Sequence, residues 1–213
     1  RALQALTLAE LARDPANTDA VLALAQGEPE ADKSRWLAPL IGSLVDAGQY
    51  ARAKAIWTGM SKARPAPGAL LYDADFRDKE SPPPFNWALK TTTLGLAERQ
   101  AGGRLHVLYY GQQEGILASQ LLLLQPGTYH LSVRLLGGGE RPEALSWQVR
   151  CDKASEAFSS IGLDAAAGRG WTFTVPAGCA AQWFELAGHI ADVAQQSDVT
   201  IAELRLARQA PGA

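Results

Sequence analysis

The chain changes period part-way along. Up to about residue 65 the apolar side chains recur three or four positions apart, and after Gly68 they alternate every second position. The first spacing lays one apolar stripe along a helix; the second puts apolar side chains on one face of a strand. No single regular element satisfies both patterns. The sequence therefore predicts an α+β protein in two domains: a helical segment over residues 1–64 and an antiparallel β-sandwich of jelly-roll type over residues 69–208. A length of 213 residues accommodates this pairing. Apolar residues at 47% and charged residues at 20% argue for packed cores and against disorder. The formal charge of −2 provides no basic footprint, which excludes nucleic acid as the expected partner. No apolar run approaches the ~20 residues needed to span a bilayer, so no membrane span is expected in this segment. The chain starts at Arg1 and its single methionine is Met60, so we expect a piece of a longer product.

In the helical segment Leu3, Leu6, Leu8 and Leu11 and then Val21, Leu22 and Leu24 fall at helical spacings, with Pro15 and Asn17 interrupting and Thr18 or Asp19 as caps. A polar stretch from Gly27 to Lys33 precedes a cleaner hairpin. Ser34 is the expected N-cap, Leu37, Leu40, Ile41 and Leu44 form one stripe, and Asp46 to Tyr50 makes the turn. The second helix carries Ala53, Ile56, Trp57 and Met60 before Pro65 and Pro67 end helical structure. These residues, with Gly48, Tyr50 and the closing Pro65, resemble a tetratricopeptide repeat cut from a longer array. There a small residue such as Ala53 admits a close helix, and Tyr50 and Trp57 fill the groove. A small helical bundle without repeat ancestry is the alternative. The linker from Pro65 to Gly68 is short and proline-stiffened, so the hairpin is expected to dock on the sandwich.

In the β segment Tyr129, Leu131, Val133 and Leu135 alternate with His130, Ser132 and Arg134. Leu145, Trp147, Val149 and Cys151 alternate with Ser146, Gln148 and Arg150, and Trp171, Phe173 and Val175 repeat the pattern. Further strands are expected at 70–76, 85–89, 105–110, 117–124, 158–163, 182–186 and 199–206. Turns are expected at Gly102-Gly103, Gly111 to Gly115, Pro126-Gly127, Gly137 to Gly139 and Gly168 to Gly170. The apolar phase slips between Ile201 and Leu204, which predicts a bulge. Leu121 to Leu124 is apolar on both faces and should be covered on both.

Two cysteines, Cys151 and Cys179, lie near strand ends in the β segment. Their placement favours a disulfide, worth ~3–4 kcal/mol for a loop of this length, and with it an oxidising compartment such as the periplasm or cell envelope. Two buried free thiols are the alternative. No further ligands at metal spacing accompany them, so zinc is not expected.

The sequence holds no Gly-x-Ser-x-Gly elbow, no phosphate-cradling loop and no His-Glu-x-x-His helix, so no enzyme is expected. Aromatic and hydrogen-bonding side chains gather instead. Leu71-Tyr-Asp73-Ala-Asp75-Phe76, Phe85-Asn86-Trp87, Leu124 to Arg134 and Asp198 to Leu206 together resemble a galactose-binding-like jelly-roll carbohydrate-binding module over most of residues 69–207. The resemblance implies a sugar site on one sheet face or at the loop-lined rim. A sugar presents an apolar C–H face and a rim of hydroxyls, so its site needs a flat aromatic beside amide, guanidinium or imidazole groups. The stacking candidates are Trp87, Tyr109, Tyr110 and Trp183, and the hydrogen bonders are His106, Gln120, His130, Arg134 and Gln148. The expected ligand set is Trp87, Tyr110, His130, Arg134, Gln148 and Trp183, with His130 and Arg134 on one face and Gln148 beside them. Core packing for the tryptophans and a merely solvated face for the polar row are the alternatives. Asp73, Asp75 and Asp198 are candidates for a structural calcium, as in related jelly rolls; no other cofactor is expected. The expected function is thus a non-catalytic envelope protein whose sandwich reads a glycan while the helices hold a partner. A purely protein-binding scaffold of an envelope or polysaccharide-export assembly is the alternative.

Overall fold

The computed structural model describes residues 2–26, 33–190 and 196–210; most of the polar stretch expected from Gly27 to Lys33 lies outside them. The chain forms two compact units, one of Arg1–Arg64 with Glu80–Phe85 and one of Pro65–Lys79 with Asn86–Ala213.

The first unit contains α1 (Ala2–Leu11), α2 (Thr18–Ala25), α3 (Lys33–Asp46) and α4 (Tyr50–Met60), with a 3-10 turn at Pro15–Asn17. Asp14 caps that turn by accepting from the Ala16 backbone N–H. Thr18 is already inside α2 and donates back to Pro15 O, so neither it nor Asp19 caps. Asp19 instead pairs with Arg52 of α4 at 2.6 Å. Ser34 likewise sits within α3, which begins one residue earlier. The stripe Leu37, Leu40, Ile41, Leu44 is buried, as are Ala53 and Trp57 facing it. Gly48, at φ 72°, closes α3, with the Gly48 and Gln49 amides donating to Val45 O and Leu44 O. The segment Glu80–Phe85 packs on α4: Trp57 Nε1 donates to Pro82 O at 2.7 Å, and the Trp57 and Phe85 rings meet at 5.7 Å. Lys54 Nζ lies 4.4 Å from the Trp57 ring and 4.7 Å from that of Phe85.

The second unit is an antiparallel sandwich. Its strands are β1 (Ala88–Leu89), β2 (Thr91–Thr92), β3 (Gly95–Gln100), β4 (Arg104–Tyr109), β5 (Gly115–Leu122), β6 (Gly127–Glu140), β7 (Leu145–Cys151), β8 (Ala157–Gly162), β9 (Trp171–Val175), β10 (Gln182–Gly188) and β11 (Ser197–Arg208). One sheet runs β1-β5-β10-β7-β8 and the other β2-β3-β4-β11-β6-β9. From β4 onward the chain crosses between the sheets at every step except the β7–β8 hairpin, in jelly-roll fashion, and the pairings are antiparallel. Between them Trp147 stacks on Phe184 at 4.5 Å, and Trp87 packs on both at about 6 Å. Tyr129, Trp171 and Phe173 form a second aromatic group. Leu121 and Leu122 point to opposite faces and both are buried, as the doubly apolar run predicts.

In the sandwich the structure departs from several sequence expectations. Residues 70–76 form turns instead of a strand, because Asp73, at φ 49°, takes the Arg77 and Asp78 amides onto its own carboxylate. Gln120, buried beneath, grips the Tyr72 peptide from both sides: its Oε1 accepts from Tyr72 N and its Nε2 donates to Tyr72 O. A side-chain amide thus stands where a neighbouring strand would. Gly137 to Gly139 is not a turn but the bulged far part of β6, where Gly137 and Gly139 hold φ near 65° and the register against β11 shifts between Asp198 and Thr200. Leu163, expected to end a strand, and Gly168, expected to open a turn, both lie in a helix, α5 (Leu163–Arg169). The hairpin β2–β3 was not expected, since Thr91, Thr92 and Glu98 offer little apolar alternation. The predicted slip in the last strand is present as a register shift between Ile201 and Glu203.

Candidate functional site

Alternation settles which side chains leave the core on the five-stranded sheet. Val149 and Trp147 of β7 and Phe184 and Leu186 of β10 point inward. Gln148, Arg150, Trp183 and Glu185 therefore point outward, and the register pairs Trp183 with Arg150 and Glu185 with Gln148. On β5, Ser119 pairs with Glu185 and completes the row.

This outward face is not an ordinary solvated one. The Glu185 side chain is 6% exposed, and both its oxygens are engaged: Gln148 Nε2 donates to Oε2 at 2.8 Å and Arg150 Nη2 to Oε1 at 3.1 Å. Arg150 Nη1 donates onward to Ala154 O at 2.7 Å. Trp183 keeps its ring half-buried and donates from Nε1 to Asp152 Oδ1 at 2.9 Å. At the far end of the same strands Ser146 Oγ contacts His189 Nε2. A carboxylate withdrawn from water is costly unless its partners are fixed, and here they are. The result is an aromatic plane beside an amide, a guanidinium and two carboxylates with little freedom to reorient.

The expected ligand set does not assemble. Gln148 and Trp183 share this face, but His130 and Arg134 lie on β6, on the outer surface of the other sheet. The two groups are separated by both layers and a core about 10 Å thick. His130 Nδ1 lies 3.0 Å from Thr172 Oγ1, and Gly170 is so close that a Cβ there would meet its ring at 2.5 Å. Arg134 faces Glu203 at 3.6 Å in a shallow depression shared with Ser132 and Arg205, all of it open to solvent. Trp87 belongs to the core and donates to Asp73 O. Tyr110 lies half-buried just past β4, on neither arrangement. Tyr109 and Gln120 are buried, and His106 sits between Asp198 (2.9 Å) and Glu98 (3.4 Å) on the six-stranded sheet.

Asp73, Asp75 and Asp198 do not meet either. Asp73 is held by the Arg77 and Asp78 amides and by Arg99, Asp75 pairs with Arg77, and Asp198 with His106. Burial still pushes the Asp73 carboxyl above its ordinary value, against the pull of those donors. Among the described residues no three His, Cys, Asp or Glu side chains gather as a metal site. The residues the sequence reading missed are Arg150, Asp152 and Glu185. Arg150 and Glu185 occupy the polar phase of strands already predicted, which is the signal that marks them.

Cys151 and Cys179 form the expected disulfide, which joins the end of β7 to the turn before β10. Fold and face together define an antiparallel β-sandwich with a fixed polar and aromatic array on one outer surface. No family model and no curated protein matches the chain. Among solved structures it is similar to accessory secretory protein 1, 2 and 3 of Streptococcus pneumoniae, with 11% identity over 56% of this chain and 88% of that one and a TM-score of 0.41. It is also similar to the glycosylation associate protein (Gap123) complex of Streptococcus agalactiae, with 14% identity over 55% and 39% and a TM-score of 0.40. A third is TmCBM61 in complex with beta-1,4-galactotriose, with 12% identity over 58% and 88% and a TM-score of 0.33. At these values the likeness is one of outline, and one outline hosts many functions.

Proposed function

We propose that the β unit is a non-catalytic carbohydrate-recognition module whose ligand lies across the outer face of the five-stranded sheet. The observation that carries this reading is the half-buried Trp183 ring set beside the fixed Glu185–Gln148–Arg150 network. A sugar ring stacks its C–H face on a flat aromatic, and its hydroxyls exchange hydrogen bonds with amide, guanidinium and carboxylate groups whose positions are already set. The disulfide supports a reading in which the protein works in an oxidising compartment, in the envelope or outside the cell. No helix among the described residues is long and apolar enough to cross a membrane.

The test is a glycan array probed with the full chain and with Trp183→Ala. The expected result is retention of a defined set of neutral oligosaccharides by the parent and at least tenfold weaker retention by the variant. An empty array, or equal retention by both, removes the reading. The second reading, a scaffold that binds only protein, draws on Leu6 and Leu24, large apolar side chains exposed on α1 and α2. The tetratricopeptide resemblance of the α3–α4 hairpin belongs to it. An empty array favours this alternative.

A further inference from the structure

The site's two key side chains are each held by a residue next to a half-cystine. Cys151 is the last residue of β7, flanked by Arg150, which fixes Glu185, and by Asp152, which accepts the Trp183 indole N–H. Cys179 precedes β10 at the end of the turn from Pro176, and its backbone O accepts from Gln182 Nε2 at 2.6 Å. The β7–β10 ladder ends at the pair Gln182 with Cys151; past it, Asp152 N donates to Ala181 O at 2.9 Å. Trp183 is the next residue after Gln182. The disulfide therefore closes onto each other the two chain ends from which Trp183 and its acceptor Asp152 project.

We propose that the Cys151–Cys179 disulfide is a positioning element for this face, and that its reduction by a dithiol loosens Trp183 and Asp152 while the sandwich stays folded. The functional meaning rests on the carbohydrate reading above; the positioning itself does not. In the exchange a thiolate of the dithiol attacks Cys151 Sγ, the less buried of the two sulfur-bearing residues, and Cys179 leaves as a thiolate. The second thiol then attacks the mixed disulfide and releases Cys151. Two electrons pass from the dithiol, which becomes a cyclic disulfide, and its two protons end on the cysteines. The sandwich is expected to survive because six of the seven β7–β10 pairs and the Trp147–Phe184 stack lie on the far side of the bond. Gln182 also continues to hold Leu124 through both its N–H and its carbonyl.

The tryptophan indoles supply both the readout and its controls. Trp183 donates to Asp152, Trp87 to Asp73 O within the sandwich, and Trp57 to Pro82 O in the helical unit. Hydrogen exchange of the indole N–H groups is followed by 15N NMR on the full chain, with Trp183 assigned from Trp183→Phe, before and after dithiothreitol. The expected result is at least tenfold faster exchange at Trp183, with Trp87 and Trp57 unchanged. Asp152→Ala in the oxidised protein should reproduce that acceleration, and reduction of the variant should add nothing to it. Unchanged exchange at Trp183, or acceleration of all three indoles together, overturns the proposal, the second because the bond would then hold the fold and not the face. An empty glycan array alongside a responsive Trp183 removes the carbohydrate reading and leaves the positioning role standing.

Discussion

The two outer surfaces of the sandwich arise from the same alternation yet treat charge in opposite ways. On the five-stranded sheet Glu185 and Asp152 are 6% and 8% exposed, and Arg150 only 23%. On the six-stranded sheet Arg134 and Arg205 are 60% and 77% exposed around a half-exposed Glu203. Ion pairs of the second kind are screened and held loosely, and most contribute almost nothing to stability. Those of the first kind hold their geometry because breaking them strands a charge out of water. The difference separates a surface built to present groups in fixed positions from one that is merely wet. It also explains why the predicted cluster of His130, Arg134 and Gln148 mixed residues from both.

The most severe test of this contrast is Glu185→Ala, which leaves Arg150 without its carboxylate. It is expected to cost about 2–3 kcal/mol in denaturant unfolding, below the ~3–5 of fully buried pairs because Arg150 keeps some water. A cost below 1 kcal/mol would place the two surfaces in one category. Next comes Trp183→Ala, expected to reduce oligosaccharide retention at least tenfold, while His130→Ala and Arg134→Ala leave it within twofold. Loss of retention in either control would move the site to the other sheet.

Lys54 offers an intermediate case, a cation withdrawn from water over the Trp57 and Phe85 rings. Burial lowers its pKa from 10.5 to about 8. The fold thus prefers the neutral amine, so its contribution is full above pH 10.5, declines as the pH falls, and is gone below pH 8. The thermal midpoint of the parent, measured against Lys54→Met, should rise between pH 8 and 10.5; a flat difference would mean the ammonium is solvated. The smallest effect belongs to Glu203→Ala, expected to lie within about 0.5 kcal/mol of the parent.

What the sequence revealed follows from what alternation encodes. It assigned Gln148 and Arg150 correctly to the polar side of a strand, and it located the slip near Ile201. It says nothing about which sheet a strand joins, because register and sheet order depend on partners far away in the chain. That is why His130 and Gln148, both correctly read as outward, were wrongly read as neighbours. Asp73 and Gln120 defeated the reading at residues 70–76 for a different reason: two side chains took over hydrogen bonds that a strand would have made. Gly137 and Gly139 were recognised as residues suited to positive φ, but a bulge uses that freedom as readily as a turn does.

The grip of Gln120 on Tyr72 has a consequence for how this chain tolerates change in length. Inserting one residue into a paired strand inverts every side chain beyond it. No strand ladder runs through residues 65–69, and Gln120 anchors the chain at Tyr72 just beyond them, so residues gained or lost ahead of Leu70 shift no ladder and turn no face inside out. The stretch leading into the sandwich is therefore a seam where the protein accepts lengthening or trimming while its sheets keep their register.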